Sequence, residues 1–288
     1  MDVVSGINHW AMPDTTVLDA AALAKEAGFG AIELNLAEDG ELGLQTSTAA
    51  AHALRAAVEE TGLQIGGLST GLYWRYSPTA DDPAIRQRAR EIAVRQLELG
   101  AALGVDAILV VPGQVGAAMG GPAVRYDVAY ERAQDFLGAL APVAERAGVT
   151  LAIENVWNKF LLSPLEMRRL IDEIGSERVG VYFDVGNILL YGYPEHWIDI
   201  LGARIRRVHL KDYARSIGGL QGFVDLGTGD VDWEAVGAAL NRIAYRGPLT
   251  AEVFPSKDER DDLPGYVMKI GQQAAAVLAR IEQGAAQS

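Results

Sequence analysis

Short runs of apolar and β-branched residues alternate along this chain with longer, Ala-rich stretches whose apolar residues recur at helical spacing. This alternation is the pattern expected of βα units that build a parallel sheet. The runs that qualify as strands number eight, at residues 3–9, 31–35, 64–68, 107–111, 150–154, 179–184, 205–209 and 249–253.

Capping residues mark the helix boundaries between these runs. Ser163-Pro164 and Asp232 precede helical stretches, as N-caps and first-turn prolines do, and Gly104 and Gly148 stand just before strands, as left-handed C-caps do. Eight strand–helix repeats predict an α/β fold of the (β/α)8 TIM barrel type, as a single domain over residues 1–288. The alternative, a doubly wound open sheet with a dinucleotide site, would need a Gly-x-Gly-x-x-Gly sequence that is missing after the first strand.

Charged residues near the ends of predicted strands are the informative positions, because an unpaired charge inside an apolar strand is costly. Side chains alternate along a strand, so Leu151 and Ile153 face the helices while Glu154 faces the barrel axis. The same test turns three more side chains inward, namely Asp184, His209 and Glu252. These four residues end strands five to eight, at the face where TIM barrels carry their active sites.

Three carboxylates and one imidazole converging on one point predict a site for one divalent cation. An oxygen-rich site of this kind favours manganese (Mn²⁺), with Mg²⁺ or Co²⁺ as alternatives, over a structural zinc site. A single carboxylate at a strand end is more often a helix cap or an ion-pair partner, and a lone His is more often structural. The prediction therefore depends on the joint placement of Glu154, Asp184, His209 and Glu252 on consecutive strands.

Composition narrows the range of partners. The chain carries 38 Asp and Glu against 25 Lys and Arg, a formal net charge of -13, so we expect no nucleic acid and no anionic membrane surface as a partner. It contains no Cys and no apolar run long enough for a membrane span, and its N-terminus lacks the pattern of a signal peptide. We predict a cytoplasmic protein.

Five segments, taken in order, resemble the signatures of the xylose isomerase-like superfamily of sugar and sugar phosphate isomerases and epimerases. The likeness covers most of the chain and is greatest to the D-tagatose 3-epimerase and hexulose-6-phosphate 3-epimerase branches. The segments are Ile-Glu-Asn-Val-Trp-Asn at 153–158, Phe-Asp-Val-Gly-Asn at 183–187, Val-His-Leu-Lys-Asp at 208–212, Gly-Thr-Gly-Asp-Val-Asp-Trp at 227–233 and Ala-Glu-Val at 251–253.

The resemblance implies a catalytic mechanism. The four inward residues would bind the cation, which would chelate a carbonyl and the neighbouring hydroxyl of a small sugar or sugar phosphate. Glu154 and Glu252 would be the catalytic acid and base, one removing the α proton and the other returning it to the opposite face of a cis-enediolate. Members of the superfamily commonly form dimers or tetramers, so the resemblance also implies a homo-oligomer.

Several further residues are candidates for substrate binding. Asn187 stands where epimerases of free ketoses usually carry a His, and Arg215 matches a substrate-binding Arg of those enzymes, although it would otherwise be a solvated loop cation. Lys211 shares the inward direction of His209 and would contact a hydroxyl or phosphate, or else form an ion pair with Asp212 or another acid. The remaining candidates are Glu33, which points inward on the second strand; His9 or its neighbour Asn8, at the end of the first; and the aromatic residues Trp10, Tyr73, Trp74 and Trp157.

Three other functions remain open. The same residues would serve a lyase or dehydratase, of the inosose dehydratase type or one that cleaves oxidised glycosides, because an enediolate can also expel a β substituent. A repair endonuclease on the same barrel would need a trinuclear zinc cluster, for which four His and a charge of -13 are unfavourable. A barrel with a binding or structural role and no catalysis is the third.

Overall fold

Eight parallel strands pair edge to edge, and the last of them returns to pair with the first. The structure is a computed structural model that describes residues 2–116 and 122–287. Around the barrel the strands follow chain order, as β1 (Asp2–Asn8), β2 (Ala31–Asn35), β3 (Gln64–Ser69), β4 (Ala107–Val110), β5 (Thr150–Glu154), β6 (Val179–Asp184), β7 (Ile205–Leu210) and β10 (Arg246–Ala251). The TIM barrel predicted from the sequence is confirmed.

Helices surround the barrel and connect its strands. They are α1 (Val17–Glu26), α2 (Thr48–Glu60), α3 (Pro83–Leu103), α4 (Tyr126–Ala147), α5 (Pro164–Ile174), α6 (Val185–Ile188), α7 (Pro194–Leu201), α8 (Trp233–Arg242), α9 (Lys257–Arg260) and α10 (Leu263–Ala286). None of the helices in the described ranges has both the length and the apolar content required to cross a membrane.

The predicted capping residues are found at helix ends. The Ser163 hydroxyl accepts a hydrogen bond from the Glu166 amide at the start of α5, and Asp232 accepts one from the Ala235 amide at the start of α8. Gly104 ends α3 with φ 77°, in the left-handed region that a side chain would strain. These local signals thus mark where the chain enters α5 and α8 and where it leaves α3.

Five of the eight strands differ from the prediction by one to three residues at an end, and the differences in the first and last strands affect the site. The first strand ends at Asn8, and His9 begins a short 3-10 turn, so Asn8 is the residue that points into the barrel. The last strand begins at Arg246 and ends at Ala251 instead of covering 249–253, so Glu252 follows it directly. The Glu252 amide still donates to the Leu210 carbonyl at 3.2 Å, which keeps its side chain in line with the barrel axis.

A small antiparallel pair, β8 (Asp212–Tyr213) and β9 (Phe223–Val224), was not predicted. It lies directly after β7. The Asp212 carboxylate holds its closing loop, because it accepts hydrogen bonds from the amides of Gly227 at 2.8 Å and Gly229 at 3.0 Å. This use of Asp212 explains the Gly-Thr-Gly-Asp segment as a loop wrapped around a buried carboxylate.

Polar side chains cross the lower part of the barrel. Tyr182 reaches from β6 to the Glu33 carboxylate on β2, and the path is open because Gly67 has no side chain that would collide with the Tyr182 hydroxyl. Below it, the Arg207 guanidinium donates to the Gly66 carbonyl at 2.6 Å and pairs with Asp106. These two side chains fill part of the barrel interior, and Tyr182 helps to fix the position of Glu33 on β2.

We predict that Gly237→Ala destabilises the protein by about 1–3 kcal/mol, the usual cost of overpacking a tight contact. A Cβ at this position of α8 would collide with the backbone carbonyl of Ile281 in α10. Urea unfolding would measure the loss. Gly138→Ala is the matched control, since Gly138 is exposed in α4 and an added Cβ would make only an ordinary contact with Ile174 Cδ1 at 4.0 Å. There the exchange should stabilise the helix by up to about 1 kcal/mol. Equal effects of the two substitutions would contradict the close α8–α10 packing.

Candidate metal centre

The structure brings Glu154, Asp184, His209 and Glu252 together at the carboxyl ends of four adjacent strands. Each side chain offers one ligand atom, and these atoms all lie within 4.8 Å of one another. All four side chains are buried. The inward directions inferred from strand alternation thus lead to a single cluster, although the role of its members as ligands stays a prediction.

One polar atom on each of the four residues is buried without a hydrogen bond of good geometry, and its close polar contacts are ion pairs within the cluster and with Lys211. The atoms are Glu154 Oε1, Asp184 Oδ2, His209 Nδ1 and Glu252 Oε2. A buried polar group left unsatisfied costs about 1–3 kcal/mol, and more when it is charged. One cation bound to these atoms would satisfy all four at once, so the residues present fit a divalent metal ion.

The charges in the cluster also favour a bound cation. Burial, together with the neighbouring Glu252 carboxylate, raises the pKa of Glu154 to about 7, and burial also raises the pKa of Asp184. Burial alone would raise the pKa of Glu252 as well, but the Lys211 ammonium and the His209 ring outweigh it and hold this pKa at about 2. The protein's own cations therefore stabilise one carboxylate fully and leave the others in need of positive charge.

His209 is oriented by Glu33, which lies on the far side of its ring from the cluster. His209 Nε2 lies 3.0 Å from both Glu33 carboxylate oxygens. The side-chain amide of Asn8 and the Tyr182 hydroxyl also donate to Glu33. A carboxylate behind a His fixes the ring and favours a proton on the nitrogen it contacts, which leaves the other nitrogen free to bind metal. Here the free nitrogen is Nδ1, which faces Glu154 and Glu252.

Asp184 is held by two asparagines. Asn155 donates to the Asp184 carbonyl at 2.7 Å and accepts from the Asp184 amide at 2.9 Å. The Asn187 amide donates to Asp184 Oδ1 at 2.8 Å as α6 begins, so the other carboxylate oxygen, Oδ2, is directed at the cluster. Asn187 also donates from its side chain to the Asn155 carbonyl and lines the cavity above the cluster.

Lys211 lies at the edge of the cluster. Its ammonium is 2.9 Å from Asp184 Oδ2 and 2.8 Å from Glu252 Oε2. Of the two ion pairs considered for Lys211, the one with Asp212 is wrong, because Asp212 is engaged by the backbone of the 227–231 loop. Lys211 instead compensates part of the negative charge of the cluster and lines the cavity.

Three predicted substrate-binding residues lie elsewhere. Glu33 lies beneath His209, as described above. His9 contacts the Thr15 hydroxyl at 3.1 Å outside the cavity lining. Arg215 is half exposed beside Asp230, where its backbone amide donates to the Asp230 carboxylate at 2.7 Å. The sequence analysis also missed Asn155, Tyr182 and the positioning role of Asn8, although the inward direction of polar side chains on β1 and β6 was a usable signal.

A cavity of about 630 Å³ opens above the cluster. Glu154, Glu252 and Lys211 form its floor, and aromatic side chains form much of its wall. Trp10 stacks on Phe254 at 6.0 Å, and Trp157 packs on Phe223 at 5.0 Å between ring centroids. Of the four aromatic residues predicted to line a pocket, Trp10, Trp74 and Trp157 do so, whereas Tyr73 is buried against Phe136 and donates to Gln96.

Comparison with known proteins matches this chain to one family of TIM barrels and to epimerases of sugar phosphates. Residues 21–270 match the family described as xylose isomerase-like TIM barrel. SgbU of Escherichia coli (strain K12), whose name proposes an L-ribulose-5-phosphate 3-epimerase, is 30% identical over 91% of this chain and 90% of its own length. The L-ribulose-5-phosphate 3-epimerase UlaE of Salmonella paratyphi C (strain RKS4594) is 26% identical over 84% of each chain.

Solved structures share the fold over almost the whole chain. An L-ribulose 3-epimerase superposes with a TM-score of 0.80 at 22% identity, covering 100% of this chain and 97% of its own. A D-psicose 3-epimerase, solved in the presence of D-fructose, gives 0.76 at 20% identity, with 97% of each chain covered. At these identities the structural likeness supports the fold alone.

We predict that Glu33→Gln lowers Mn²⁺ affinity about 10- to 100-fold, as loss of a carboxylate behind a metal-binding His usually does. Gln would keep one acceptor oxygen but lose the negative charge beside His209, and its NH2 group would face either the Asn8 side chain or the Tyr182 hydroxyl, both of which donate to Glu33. Isothermal titration calorimetry measures the affinity, and circular dichroism confirms that the variant is folded. Glu38→Gln, which removes an exposed partner of Arg75, should leave the affinity unchanged. Unchanged affinity in Glu33→Gln would remove the orienting role.

We also predict that Mn²⁺ affinity rises with pH. Metal ligands must be deprotonated, and the pKa of Glu154 is about 7 while that of His209 is raised well above its usual value by Glu33 and Glu252, although burial alone would lower it. Binding should therefore release protons and strengthen by about tenfold per pH unit for each proton displaced below pH 7. Calorimetry in buffers of different ionisation enthalpy counts the protons. An affinity that is flat between pH 6 and 8 would contradict this charge arrangement.

Proposed function

Because the chain belongs to the xylose isomerase-like TIM barrel family, we propose that it is a metal-dependent isomerase that inverts carbon 3 of a ketose. The names of its relatives support this assignment: SgbU and UlaE carry the name L-ribulose-5-phosphate 3-epimerase, and the solved structures include ketose 3-epimerases. The observation that carries the proposal is the placement of two glutamates, Glu154 and Glu252, within one buried four-residue cluster at the cavity floor.

The proposed cofactor is one divalent cation, Mn²⁺ in the first place, held by Glu154, Asp184, His209 and Glu252. Their oxygen-rich donor set, and the convergence of four buried atoms that make no hydrogen bond of good geometry, support this choice. When bound, the cation supplies positive charge beside the substrate carbonyl, which makes the neighbouring C–H acidic and stabilises the enediolate that forms. Glu33, Asn8 and Asn155 contribute by keeping the ligand side chains in place.

Glu154 and Glu252 are proposed to move the proton. They come from the two outer strands of the set β5, β6, β7 and β10, so they approach the floor of the cavity from different sides. One carboxylate removes the proton from carbon 3, and the other delivers a proton to the opposite face, which inverts the carbon and leaves the substrate's mass unchanged. Lys211 and Asn187, which line the cavity beside them, are the proposed contacts for substrate hydroxyls.

The tryptophan-lined cavity and the cluster are equally compatible with a lyase that expels a β substituent. The identity of the product therefore decides between an epimerase and a lyase. A repair endonuclease is a poorer fit, since residues 2–116 and 122–287 contain one candidate group of metal ligands and His209 is its only His. Deuterium oxide separates the first two reactions, because epimerisation adds one deuteron to an intact sugar whereas elimination removes a fragment.

We expect Glu154→Gln and Glu252→Gln each to slow ketose epimerisation about 10²- to 10⁴-fold, the usual contribution of general acid–base catalysis. The Mn²⁺-loaded protein would be incubated with ketoses in deuterium oxide, and NMR and mass spectrometry would follow deuterium at carbon 3. Glu234→Gln, on the outer helix α8, is the control and should retain full rate. If both glutamine variants turned over like the wild type, the two-glutamate mechanism would be wrong.

A further inference from the structure

The cavity is lined mainly by negative charge, whereas a site that binds phosphate usually carries positive charge. Its lining includes five carboxylates, and Lys211 is the only cationic side chain among the described residues that line it. The Lys211 ammonium is already paired with Asp184 and Glu252 at the floor. Even with a divalent cation bound, the lining keeps a net negative formal charge.

The short helix α9 follows the last barrel strand, where TIM barrels frequently bind phosphate at the N-terminus of an extra helix. In this chain the N-terminus of α9 is capped by Glu259, a residue of the same helix. The Glu259 carboxylate accepts a hydrogen bond from the Ser256 backbone amide at 2.8 Å, and the Ser256 hydroxyl accepts one from the Glu259 backbone amide at 3.4 Å. These two bonds form a complete capping box. Both residues line the cavity, so an incoming phosphate would meet the Glu259 carboxylate at this end of the helix.

A second carboxylate lies beside this one. Asp225, directly after β9, and Glu259 share the Lys269 ammonium, at 3.2 Å and 2.5 Å. Burial would raise the pKa of Glu259, but its hydrogen bonds from Lys269 and Ser256 lower it, so the group is ionised at neutral pH. Lys269 also lies 5.3 Å from the centre of the Tyr266 ring. With two carboxylates and one ammonium, the cluster of Asp225, Glu259 and Lys269 has an excess negative charge and repels an anion.

The rest of the wall suits an uncharged polyol. Trp10, Trp74 and Trp157 line the cavity, and aromatic faces pack against the C–H surfaces of sugars while the floor provides polar contacts. Arg215, the other cation predicted for this site, is half exposed beside Asp230 and outside the lining. We infer that the substrate is a neutral, unphosphorylated ketose, and that Asp225 and Glu259 exclude ketose phosphates. The inference rests on the proposed function for the identity of the sugar as a ketose.

The test compares L-ribulose with L-ribulose 5-phosphate on the Mn²⁺-loaded wild-type protein. Equilibrium binding is followed through tryptophan fluorescence, because three tryptophans line the cavity, and turnover through deuterium incorporation at carbon 3. We expect L-ribulose to bind about tenfold or more tightly than its phosphate, with a higher kcat/KM in the same direction. Tighter or equal binding of the phosphate, or no binding of L-ribulose, would overturn the inference. Selective binding of L-ribulose without deuterium incorporation would uphold the inference and refute the epimerase function.

Charge removal tests the assigned residues. The double variant Asp225→Asn with Glu259→Gln keeps the side-chain shapes, and Gln at this position can still complete the capping box. It should improve binding of the phosphate relative to L-ribulose about tenfold, an effect that added salt should weaken. Glu59→Gln with Asp199→Asn changes the net charge equally at exposed ion pairs on α2 and α7, and should leave the ratio unchanged. An unchanged ratio in the first variant would contradict the role of this wall.

Discussion

Three carboxylates are buried together at the ends of barrel strands, and their mutual repulsion must be compensated by positive charge. Glu154, Asp184 and Glu252 lie within reach of one another and of His209 in a site shielded from water. Like charges at such distances in a low-dielectric environment repel strongly, and the protein offers His209 and Lys211 as partial compensation. A divalent cation bound to Glu154, Asp184, His209 and Glu252 would complete that compensation, and it would supply the positive charge that stabilises an enediolate.

Much of the barrel interior holds this arrangement in place. Glu33 orients His209 and is itself fixed by Tyr182, whose path across the barrel requires Gly67 to lack a side chain. Asn155 binds both backbone groups of Asp184, so the turn into α6 directs one carboxylate oxygen at the cluster. These contacts join residues far apart in the chain, and they link the packing of the barrel to the geometry of the site.

The strand pattern and the inward direction of four side chains could be predicted from the sequence because both follow from local alternation. Glu252 points into the barrel as predicted, although its strand ends at Ala251 and not at residue 253, because the Glu252 amide still donates to the Leu210 carbonyl. Loop residues were a different case. Arg215 and Asp225 lie in connections whose course depends on the β8–β9 pair and on the long-range contacts of Asp212, and neither is encoded by local periodicity. The family resemblance pointed to Arg215, and the local loop structure of this chain turned it toward Asp230.

We propose that four named atoms bind one metal ion, and anomalous diffraction from crystals grown with Mn²⁺ would detect that ion. We expect one strong anomalous peak per chain, about 2.0–2.3 Å from Glu154 Oε1, Asp184 Oδ2, His209 Nδ1 and Glu252 Oε2. A cluster without a peak at saturating Mn²⁺, or a peak bound by other residues, would contradict it.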